Sequence, residues 1–392
     1  MTYSEPSLRL LIAGGGTGGH VLPAVAVVEE LRRRSVPLDP LWVGGHNGVE
    51  REIAESQAIP FAAIQSGKLR RYVSLRTLTD ALRIPIGILQ GGWKVRDYRP
   101  DVIYSTGGAV SVPTVVGHAA MSRVRLSSRA PILTHEQTAQ IGIANRTASR
   151  FAETFAVGFD QTGELARGRH PNVVVTGNPV RQSLSTGSAH RGRTWARFSA
   201  DLPVVYVTGG ALGASPLNER VEHNLERLLN LAQIVHQVGP ARANDDFVRL
   251  SALRDRFPDH LARRYVVQEF IRDELPDVFA MTDIVVARAG AGTVSELGYL
   301  GLPSVLMPLP GTWGDEQRKN AQVLSAVGAA IVLEQSETDA RTLGDAIEGL
   351  IRDSDRRSRM ATAARSTSRS DAASKLVNEL LRLARWNVVQ QS

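Results

Sequence analysis

Apolar runs that end in short turns recur through both halves of the chain and constrain its fold more than any other feature. The first half contains LRLLIA, LDPLWVGG, PDVIYSTGG and APILTHE, with a helical pattern from about Pro23 to Arg34 after the first run. After the polar segment QSLSTGSAHRGR the pattern restarts with DLPVVYVTGG, AQIVHQVG, RRYVVQEF, DIVVARAG and PSVLMPLP. Strands that alternate with helices form parallel sheets covered by helices. The sequence therefore predicts an α/β fold with two Rossmann-like domains facing across a cleft.

The chain length supports a division into two domains. Its 392 residues exceed what one hydrophobic core usually holds. We expect an N-terminal domain over residues 1–180 and a C-terminal domain over residues 181–371. The last stretch, DAASKLVNELLRLARW, spaces its leucines as an amphipathic helix does. This helix, at about residues 372–388, is long enough to pack back onto the core of either domain, and the first domain is the candidate.

Composition narrows the classes of function. The net charge of +7 favours anionic partners, but aromatic residues make up only 5% and no nucleic-acid-binding motif occurs, so nucleic acid is not an expected partner. The chain has no cysteine, which excludes disulfides, thiolate catalysis and sulfur-ligated metals. No apolar run reaches the roughly 18 residues of a membrane-spanning helix, and no secretory signal precedes the first strand, so we expect a cytoplasmic protein.

The turn GGGTGGH follows the first predicted strand and fits the dinucleotide-binding spacing G-x-G-x-x-G through Gly14, Gly16 and Gly19. Glycines let backbone N–H groups approach a phosphate, although tight strand-to-helix turns in any α/β protein also favour them. An NAD-binding unit needs an acidic residue at the end of its second strand. Here that strand ends in two glycines, and Glu50 follows well past it. A dehydrogenase is therefore disfavoured.

His20 closes the same turn, in the first turn of the predicted helix. The positive end of a helix dipole disfavours the imidazolium and keeps the imidazole neutral. A neutral imidazole can accept a proton from a hydroxyl group, which makes His20 a candidate general base. The alternative is a histidine that only caps or packs beneath the turn.

Two further glycine turns, TGGALGAS and ARAGAGTVSE, follow strands of the second half. Thr293 and Glu296 fit the capping box S/T-x-x-E, in which the glutamate bonds only the threonine N–H. The alternative is that Glu296, beside a phosphate-binding turn, accepts ribose hydroxyls. Arg288 is placed to face an anion, Asp315 is a candidate N-cap, and Gln317 suits a pair of sugar hydroxyls.

Seven strings in a fixed order resemble the MurG family, the bacterial UDP-N-acetylglucosamine transferases of glycosyltransferase family 28. They are GGTGGHVLPAVAV, STGGAVSVP, HEQTAQIGIANR, GNPVR, TGGALGAS, ARAGAGTVSELGYLGLPSVLMPLP and DEQRKNA, between about residues 8 and 345. The resemblance implies the GT-B fold, with the donor nucleotide on the C-terminal domain and a lipid acceptor on the N-terminal domain.

The resemblance also implies an activity. An inverting hexosyltransferase of this family moves N-acetylglucosamine from UDP-N-acetylglucosamine to the C4 hydroxyl of undecaprenyl-diphospho-N-acetylmuramyl-pentapeptide, lipid I. The product is lipid II, a precursor of peptidoglycan and hence of the cell wall. Two alternatives stay open: a related GT-B transferase with a different lipid or glycoside acceptor, and a non-catalytic module that binds a UDP-sugar.

The matching motifs imply site residues in both domains. The catalytic candidates are His20 and, as a competing base, Glu136. The implied acceptor-binding residues are Gly15, Gly107, Gly108, Ser111 and His135. The implied donor-binding residues are Thr17, Gly18, Gly19, Asn145, Arg181, Ala211, Gly213, Phe270, Ile271, Arg288, Gly290, Ala291, Thr293, Glu296, Gln317 and Asn320. The chain departs from the family's usual asparagine, aromatic residue and serine at Thr138, Ala109 and Ala211.

The sequence shows no cluster of histidine and carboxylate ligands. We therefore expect no metal site and no required cofactor, although a bound Mg²⁺ is compatible with the reaction. Amides of the glycine loops and helix dipoles would then stabilise the charge on the departing diphosphate.

The segment GKLRRYVSLRTLTDALRIPIGILQGGWKVRDYR mixes cationic and apolar side chains. Its cations are Arg70, Arg71, Arg76, Arg83, Lys94 and Arg96, and its large apolar residues include Leu82, Ile84, Ile86, Ile88, Leu89 and Trp93. This mixture suits an anionic membrane surface, while an ordinary amphipathic helix covering the sheet is the alternative. We expect a peripheral protein at the cytoplasmic face of the cell membrane.

Overall fold

The computed structural model describes residues 6–46, 48–66, 75–241 and 245–386, without the side chains of residues 75–82. The chain divides into two compact units. The first contains the described residues of 1–181 and of 369–392, and the second contains those of 182–368. The chain therefore passes from the first unit to the second and returns.

A parallel sheet forms the centre of the first unit. Its strands are β1 (Leu8–Gly14), β2 (Leu38–Gly45), β3 (Phe61–Ile64), β4 (Val102–Gly107), β5 (Ile132–Glu136), β6 (Thr154–Val157) and β7 (Val173–Val175). Within the described residues these seven strands lie in the order β3-β2-β1-β4-β5-β6-β7. The helices between them are α1 (Gly18–Arg33), α2 (Glu50–Ser56), α3 (Leu75–Tyr98), α4 (Ser111–Arg123), α5 (Ile143–Ala148) and α6 (Asp160–Arg167).

The second unit repeats this plan. Its strands are β8 (Val204–Thr208), β9 (Gln233–Gln237), β10 (Tyr265–Gln268), β11 (Ile284–Ala287), β12 (Ser304–Leu306) and β13 (Ala330–Val332). In the part of the chain that the structure describes, these six parallel strands follow the order β10-β9-β8-β11-β12-β13. The helices are α7 (Ala189–Ala196), α8 (Ser215–Glu222), α9 (Leu225–Leu229), α10 (Asp246–Arg254), α11 (Asp259–Ala262), α12 (Leu275–Met281), α13 (Ala291–Leu300), α14 (Glu316–Ser325), α15 (Ala340–Arg352) and α16 (Ser354–Ser366).

Both sheets have the doubly wound order in which the chain reverses direction beside the first strand. Loops that follow the two strands at that switch point lie next to each other at the carboxyl ends, where ligands bind in open α/β sheets. In the first unit these are the loops after β1 and β4, and in the second they are the loops after β8 and β11. The predicted α/β class with two Rossmann-like domains is confirmed.

One local expectation needs adjustment. The helix expected from about Pro23 begins five residues earlier, at Gly18, and includes Pro23 in its second turn. No helix among the described residues combines the length and apolar character that crossing a bilayer requires.

A last helix, α17 (Ala372–Leu383), belongs to the first unit. Its buried face joins the core formed by β1, β4 and α1, through Leu376, Val377, Leu380 and Leu381. Hydrogen bonds fix its orientation, because Arg34 donates to Asn378 Oδ1 at 2.6 Å and Ser374 donates to Glu30 Oε1 at 2.7 Å. The helix therefore completes the core of a domain from which it is separated by the whole second unit.

Glu30 is the charged centre of this contact. Its carboxylate is buried and accepts from Arg33 at 2.7 Å and from Arg34 at 2.7 Å. These hydrogen bonds, Arg33 first and then Ser374 and Arg34, outweigh burial and lower the pKa of Glu30 to about 2 from an ordinary 4.5. The ionised form is thus the one that holds α17 on α1.

We expect Glu30→Gln to lower the free energy of unfolding by about 1–3 kcal/mol at pH 7, because the charged hydrogen bonds are lost. Because the folded-state pKa is depressed, this stabilisation is present above about pH 4.5 and is lost as the pH falls toward 2. Urea unfolding of the parent and the variant across this range measures the difference. Glu379→Gln, which removes a pair with the exposed Arg382, is the matched control. A difference that does not change with pH would contradict the assignment.

Candidate active site

The loop after β1 runs from Gly14 to Thr17 and leads directly into α1. Gly16 has φ +93°, a conformation that side-chain-bearing residues rarely adopt. A Cβ on Gly14 would lie 1.8 Å from the hydroxyl oxygen of Thr106 on β4. Glycine is therefore required here both by backbone conformation and by the close approach of the neighbouring strand.

A buried carboxylate holds this loop from below. Glu50, the first residue of α2, accepts from Gly16 N at 3.0 Å and from Gly45 N at 2.9 Å. A Cβ on Gly15 would meet its carboxyl carbon at 2.4 Å. The Gly16 N–H is thus already bonded to the negatively charged carboxylate of Glu50. This carboxylate would repel a nucleotide phosphate placed at the same N–H group. Sequence reasoning placed Glu50 outside the site; the glycines at 44, 45 and 48 were the signal that a side chain packs there.

The loop after β4 meets the loop after β1. Gly107 and Gly108 have φ +93° and +81°, and a Cβ on Gly108 would lie 2.1 Å from Gly15 O. Ser111 begins α4, and its hydroxyl donates to Gly108 O at 2.9 Å. Ala109, the residue between the two turns, is exposed. The structure thus brings together the predicted acceptor residues Gly15, Gly107, Gly108 and Ser111.

His20 is the third residue of α1 and is partly exposed. Its Nδ1 lies 3.0 Å from Oε1 of Gln137, which follows β5. Gln137 is 1% exposed, and its amide nitrogen donates to Thr106 O at 2.9 Å and to His135 O at 3.0 Å. Sequence reasoning did not select Gln137, although it stands beside the selected His135 and Glu136.

His135 lies on β5 with no exposed surface. Its Nδ1 is 3.3 Å from the hydroxyl of Tyr104, and the two rings stack with centroids 6.4 Å apart. Burial lowers the pKa of His135 to about 3, so this imidazole is neutral at physiological pH. The side chain lies beneath the two loops rather than at their surface.

Glu136 is 1% exposed and accepts hydrogen bonds from four donors. Thr138 N and Thr138 Oγ1 donate to Oε1 at 3.1 and 2.8 Å. Gly142 N and Asn145 Nδ2 donate to Oε2 at 2.8 and 3.0 Å. The carboxylate therefore ties the loop after β5 to the start of α5. Thr138 directs its hydroxyl into this network.

In the second unit the loop after β8 leads into α8. Gly210 and Gly213 have φ +78° and +72°, while Ala211 is exposed between them. A Cβ on Gly239, in the loop after β9, would lie 2.4 Å from Gly213 Cα. The turn is therefore packed against a neighbouring backbone on one side and open on the other.

Arg288 follows β11 and is 7% exposed. Its guanidinium donates to Met307 O at 3.0 Å, Pro308 O at 3.3 Å and Gln335 Oε1 at 2.6 Å. Burial, together with the charge of Arg220, lowers the pKa of Arg288 to about 10, so the side chain stays cationic at neutral pH. Among the described residues Arg288 forms no ion pair with a carboxylate. The cationic guanidinium of Arg288, which among the described residues donates to neutral oxygens, thus lies at the start of the loop after β11.

The capping box expected at Thr293 and Glu296 is wrong. Helix α13 begins at Ala291 with Gly290 at the N-cap position, so Thr293 is the third helical residue and cannot cap. Because Gly290 provides no side-chain acceptor, the first N–H groups of α13 lack a capping side chain. Glu296 lies in the second turn, partly buried, where its charge contributes to the raised pKa of Tyr206. Asp315 does occupy the N-cap position of α14, without a side-chain cap bond.

The remaining predicted donor residues lie near the ends of the other strands. Ile271 N donates to Gln237 Oε1 at 3.0 Å, which fixes the segment of Phe270 and Ile271 after β10. Gln317 Oε1 accepts from Leu309 N at 2.9 Å. Asn320 is buried and donates to Ala289 O at 3.2 Å. Arg181 ends the first of the two chain segments that form the first unit, and its Nε is buried without a hydrogen-bond partner among the described residues.

Except for Arg181, the site residues predicted from the sequence therefore form one set in each unit. In the first unit Gly15, Thr17, Gly18, Gly19 and His20 lie beside the residues that follow β4 and β5. In the second unit the donor residues line the carboxyl ends of β8, β10, β11 and β12. Within the described ranges, no three His, Asp or Glu side chains group in a way that could hold a metal ion.

We expect Glu50→Gln to loosen the loop after β1, because an amide can accept from at most one of the two N–H groups that the carboxylate binds. The free energy of unfolding should fall by about 1–3 kcal/mol, and hydrogen exchange of peptides covering residues 14–19 should accelerate. Glu55→Gln, an exposed position on the same helix, is the control. Unchanged exchange in the loop would contradict the role assigned to Glu50.

The sequence matches two family descriptions. Glycosyltransferase family 28 N-terminal domain covers residues 10–157, and glycosyltransferase family 28 C-terminal domain covers residues 204–376. A Legionella pneumophila (strain Paris) protein named UDP-N-acetylglucosamine--N-acetylmuramyl-(pentapeptide) pyrophosphoryl-undecaprenol N-acetylglucosamine transferase is 32% identical over 375 residues, 95% of this chain and 97% of its own length. A Bacillus cereus (strain ATCC 10987 / NRS 248) protein of the same name, numbered 2, is 34% identical over 344 residues, 87% of this chain and 91% of its own.

Solved structures give a consistent comparison. The crystal structure of Acinetobacter baumannii MurG matches with a TM-score of 0.69 and 26% identity, over 96% of this chain and all of that one. A putative UDP-N-acetylglucosamine 2-epimerase from Listeria monocytogenes also reaches 0.69, over 97% of this chain and 98% of its own, but at 14% identity it indicates the fold alone.

Proposed function

The chain belongs to glycosyltransferase family 28, and from that premise we propose that it transfers N-acetylglucosamine from UDP-N-acetylglucosamine to lipid I. The acceptor group is the C4 hydroxyl of undecaprenyl-diphospho-N-acetylmuramyl-pentapeptide, and the product is lipid II. One observation carries the proposal: relatives that bear this transferase name align over 87–95% of the chain, through both units.

The first unit provides the acceptor side and the base. The C4 hydroxyl loses its proton to the imidazole of His20 while its oxygen forms a bond to C1 of the sugar. The bond between C1 and the diphosphate breaks, and its electron pair leaves with UDP. His20 suits this step because it is partly exposed in the first turn of α1, directly after the loop that follows β1.

Glu136 is the weaker candidate for the base. Its four hydrogen bonds come from donors in the loop after β5 and at the start of α5, and its side chain is buried. Removing the carboxylate from this network to accept a substrate proton would leave buried donors without acceptors. We infer that Glu136 and Asn145 hold the loop that carries Gln137, and that buried His135 supports the acceptor loops from beneath.

The second unit binds the donor. The N-termini of α8 and α13 follow the neighbouring strands β8 and β11, so both helix dipoles favour a diphosphate near Ala211, Gly213 and Gly290. The buried charge of Arg288 adds to this field. Stabilising the charge that develops on the departing UDP is the electrostatic requirement of the reaction.

The other parts of the donor bind residues of the same unit. Uracil lies against Phe270 and Ile271, and the ribose hydroxyls bind Glu296. Gln317 uses its carbonyl oxygen on Leu309 N, which leaves its NH₂ group for a sugar hydroxyl. Asn320 holds the backbone of Ala289, next to Gly290. From the first unit, Thr17, Gly18 and Gly19 lie beside the transferred sugar, and Arg181 binds the donor.

We expect His20→Ala to lower kcat by about 10²-fold or more, the scale of losing a general base. The assay measures UDP release in the presence of lipid I. UDP-N-acetylglucosamine and UDP-N-acetylgalactosamine are tested as donors in parallel. His190→Ala, an exposed histidine of α7, is the control. A decrease in kcat of less than a fewfold would show that another residue is the general base. A parent that binds the UDP-sugar but releases no UDP with lipid I would contradict the transferase.

The apolar face of α3 suits the lipid-linked acceptor. Ile86, Leu89 and Trp93 are 48%, 59% and 46% exposed, and their spacing of three and four residues places them on one side of the helix. Lys94 is exposed, and Arg96 stacks on the Trp93 ring at 4.4 Å. We propose that this face rests on an anionic membrane surface, at the cytoplasmic face of the cell membrane.

The structure does not describe all of the basic segment that the sequence analysis selected. Arg70 and Arg71 lie outside the described residues, as do the side chains of Arg76 and Leu82. Arg83 is exposed on α3 beside the apolar face. The membrane proposal therefore rests on the described residues 83–96.

We expect the parent to float with vesicles that contain phosphatidylglycerol at low salt and to bind neutral phosphatidylcholine vesicles less, since each cation near an anionic surface contributes about 1 kcal/mol. The triple change Ile86→Ser, Leu89→Ser and Trp93→Ser should abolish flotation while UDP-sugar binding persists. Leu165→Ser with Val248→Ser, also exposed apolar positions, is the control. A parent that ignores anionic vesicles at low salt would refute membrane attachment.

A further inference from the structure

The side chain of Gln137 has only one orientation that satisfies its neighbours. Its polar end faces four atoms: Thr106 O at 2.9 Å, His135 O at 3.0 Å, His135 Nδ1 at 3.4 Å and His20 Nδ1 at 3.0 Å. The first two are carbonyl oxygens, which can only accept hydrogen bonds. The NH₂ group must therefore face the two carbonyls, and its two hydrogens are used there. The carbonyl oxygen of the amide is left for His20.

This orientation decides where the ring hydrogen of His20 lies. An amide oxygen cannot donate, so Nδ1 of His20 must be the donor of the 3.0 Å hydrogen bond. In a neutral imidazole only one ring nitrogen carries hydrogen. Nε2 is then the nitrogen with the free electron pair, on a side chain that is partly exposed.

We propose that Gln137 is a positioning residue that holds His20 in the Nδ1–H tautomer and thereby presents Nε2 as the proton acceptor. The proposal rests on the proposed function in one respect, namely that His20 is the general base. The other tautomer would carry hydrogen on Nε2 and could not accept a proton from the acceptor hydroxyl at that atom.

The backbone around Gln137 keeps the amide from turning away. Asn178 Nδ2 donates to Gln137 O at 2.6 Å, and Gly158 N donates to Glu136 O at 2.8 Å. Thr106 belongs to β4 and His135 to β5, so the amide is anchored to two adjacent strands of the sheet. His20 is 117 residues away in sequence, and this one side chain connects its ring to the rigid part of the unit.

Gln137 also differs from the usual carboxylate partner of a catalytic histidine. A carboxylate stabilises the imidazolium that forms when the base takes a proton. A neutral amide fixes the tautomer without adding that stabilisation.

The test reads the tautomer directly in the free, full-length protein. Long-range ¹H–¹⁵N spectra of ¹⁵N-histidine-labelled protein distinguish the two ring nitrogens, and the His20 signals are identified among the nine histidines by their absence in His20→Gln. We expect the hydrogen on Nδ1 and an unprotonated Nε2 near neutral pH. A hydrogen on Nε2 would overturn the proposal.

Variants separate positioning from packing. Gln137→Met has no acceptor, and we expect both tautomers of His20 in its spectrum and a kcat at least about tenfold lower, with the KM values of both substrates within twofold. Gln137→Glu keeps an acceptor oxygen opposite Nδ1 and should retain the Nδ1–H signature, even though it is less stable. A Gln137→Met spectrum identical to that of the parent would overturn the proposal.

The matched control is Gln233→Met in the second unit. Gln233 is 2% exposed; its oxygen accepts from Ser199 N at 2.7 Å, and its NH₂ group donates to Ser199 O and Leu202 O at 3.1 and 3.2 Å. This variant should lose stability as Gln137→Met does while leaving the His20 spectrum and kcat unchanged. Because the spectra need no substrate, failure of the parent to transfer sugar would contradict the proposed function and leave the tautomer assignment standing.

Discussion

The first site depends on backbone packed directly against backbone where Gly108 meets Gly15. No side chain fits there, since a Cβ on Gly108 would lie 2.1 Å from Gly15 O. This contact sets the spacing of the loops that follow β1 and β4, and with it the position at which α1 begins. Glu50 then fixes the loop from below through two amides. The position of His20 relative to Gln137 follows from these constraints.

The two units share a sheet order but differ in charge at their switch points. In the first, the Gly16 amide is already bonded to a carboxylate, and His20 faces the neutral side-chain amide of Gln137. In the second, Arg288 adds a buried positive charge beside two helix N-termini. The same fold thus offers one surface suited to proton transfer from a hydroxyl and one suited to a diphosphate.

Much of the fold was predictable because the alternation of apolar runs and helical stretches is local. The contacts within the site were not, because they join distant parts of the chain. Gln137 reaches His20 across 117 residues, and no pattern around Gln137 points to that helix. Glu50 was set aside because it follows its strand by several residues, whereas the turn after β2 returns it to the loop. The capping-box prediction failed because α13 begins two residues before Thr293. The exact first residue of a helix is difficult to predict from sequence.

The location of α17 has a consequence for biosynthesis. Leu376, Val377, Leu380 and Leu381 cover the core of the first unit, yet the ribosome adds them only after all of residues 182–368. Until then the emerging chain exposes an apolar patch on β1, β4 and α1 that has no native cover. The second unit can complete its sheet first, so the domain that is translated first finishes folding last, and chaperones have that interval in which to bind it.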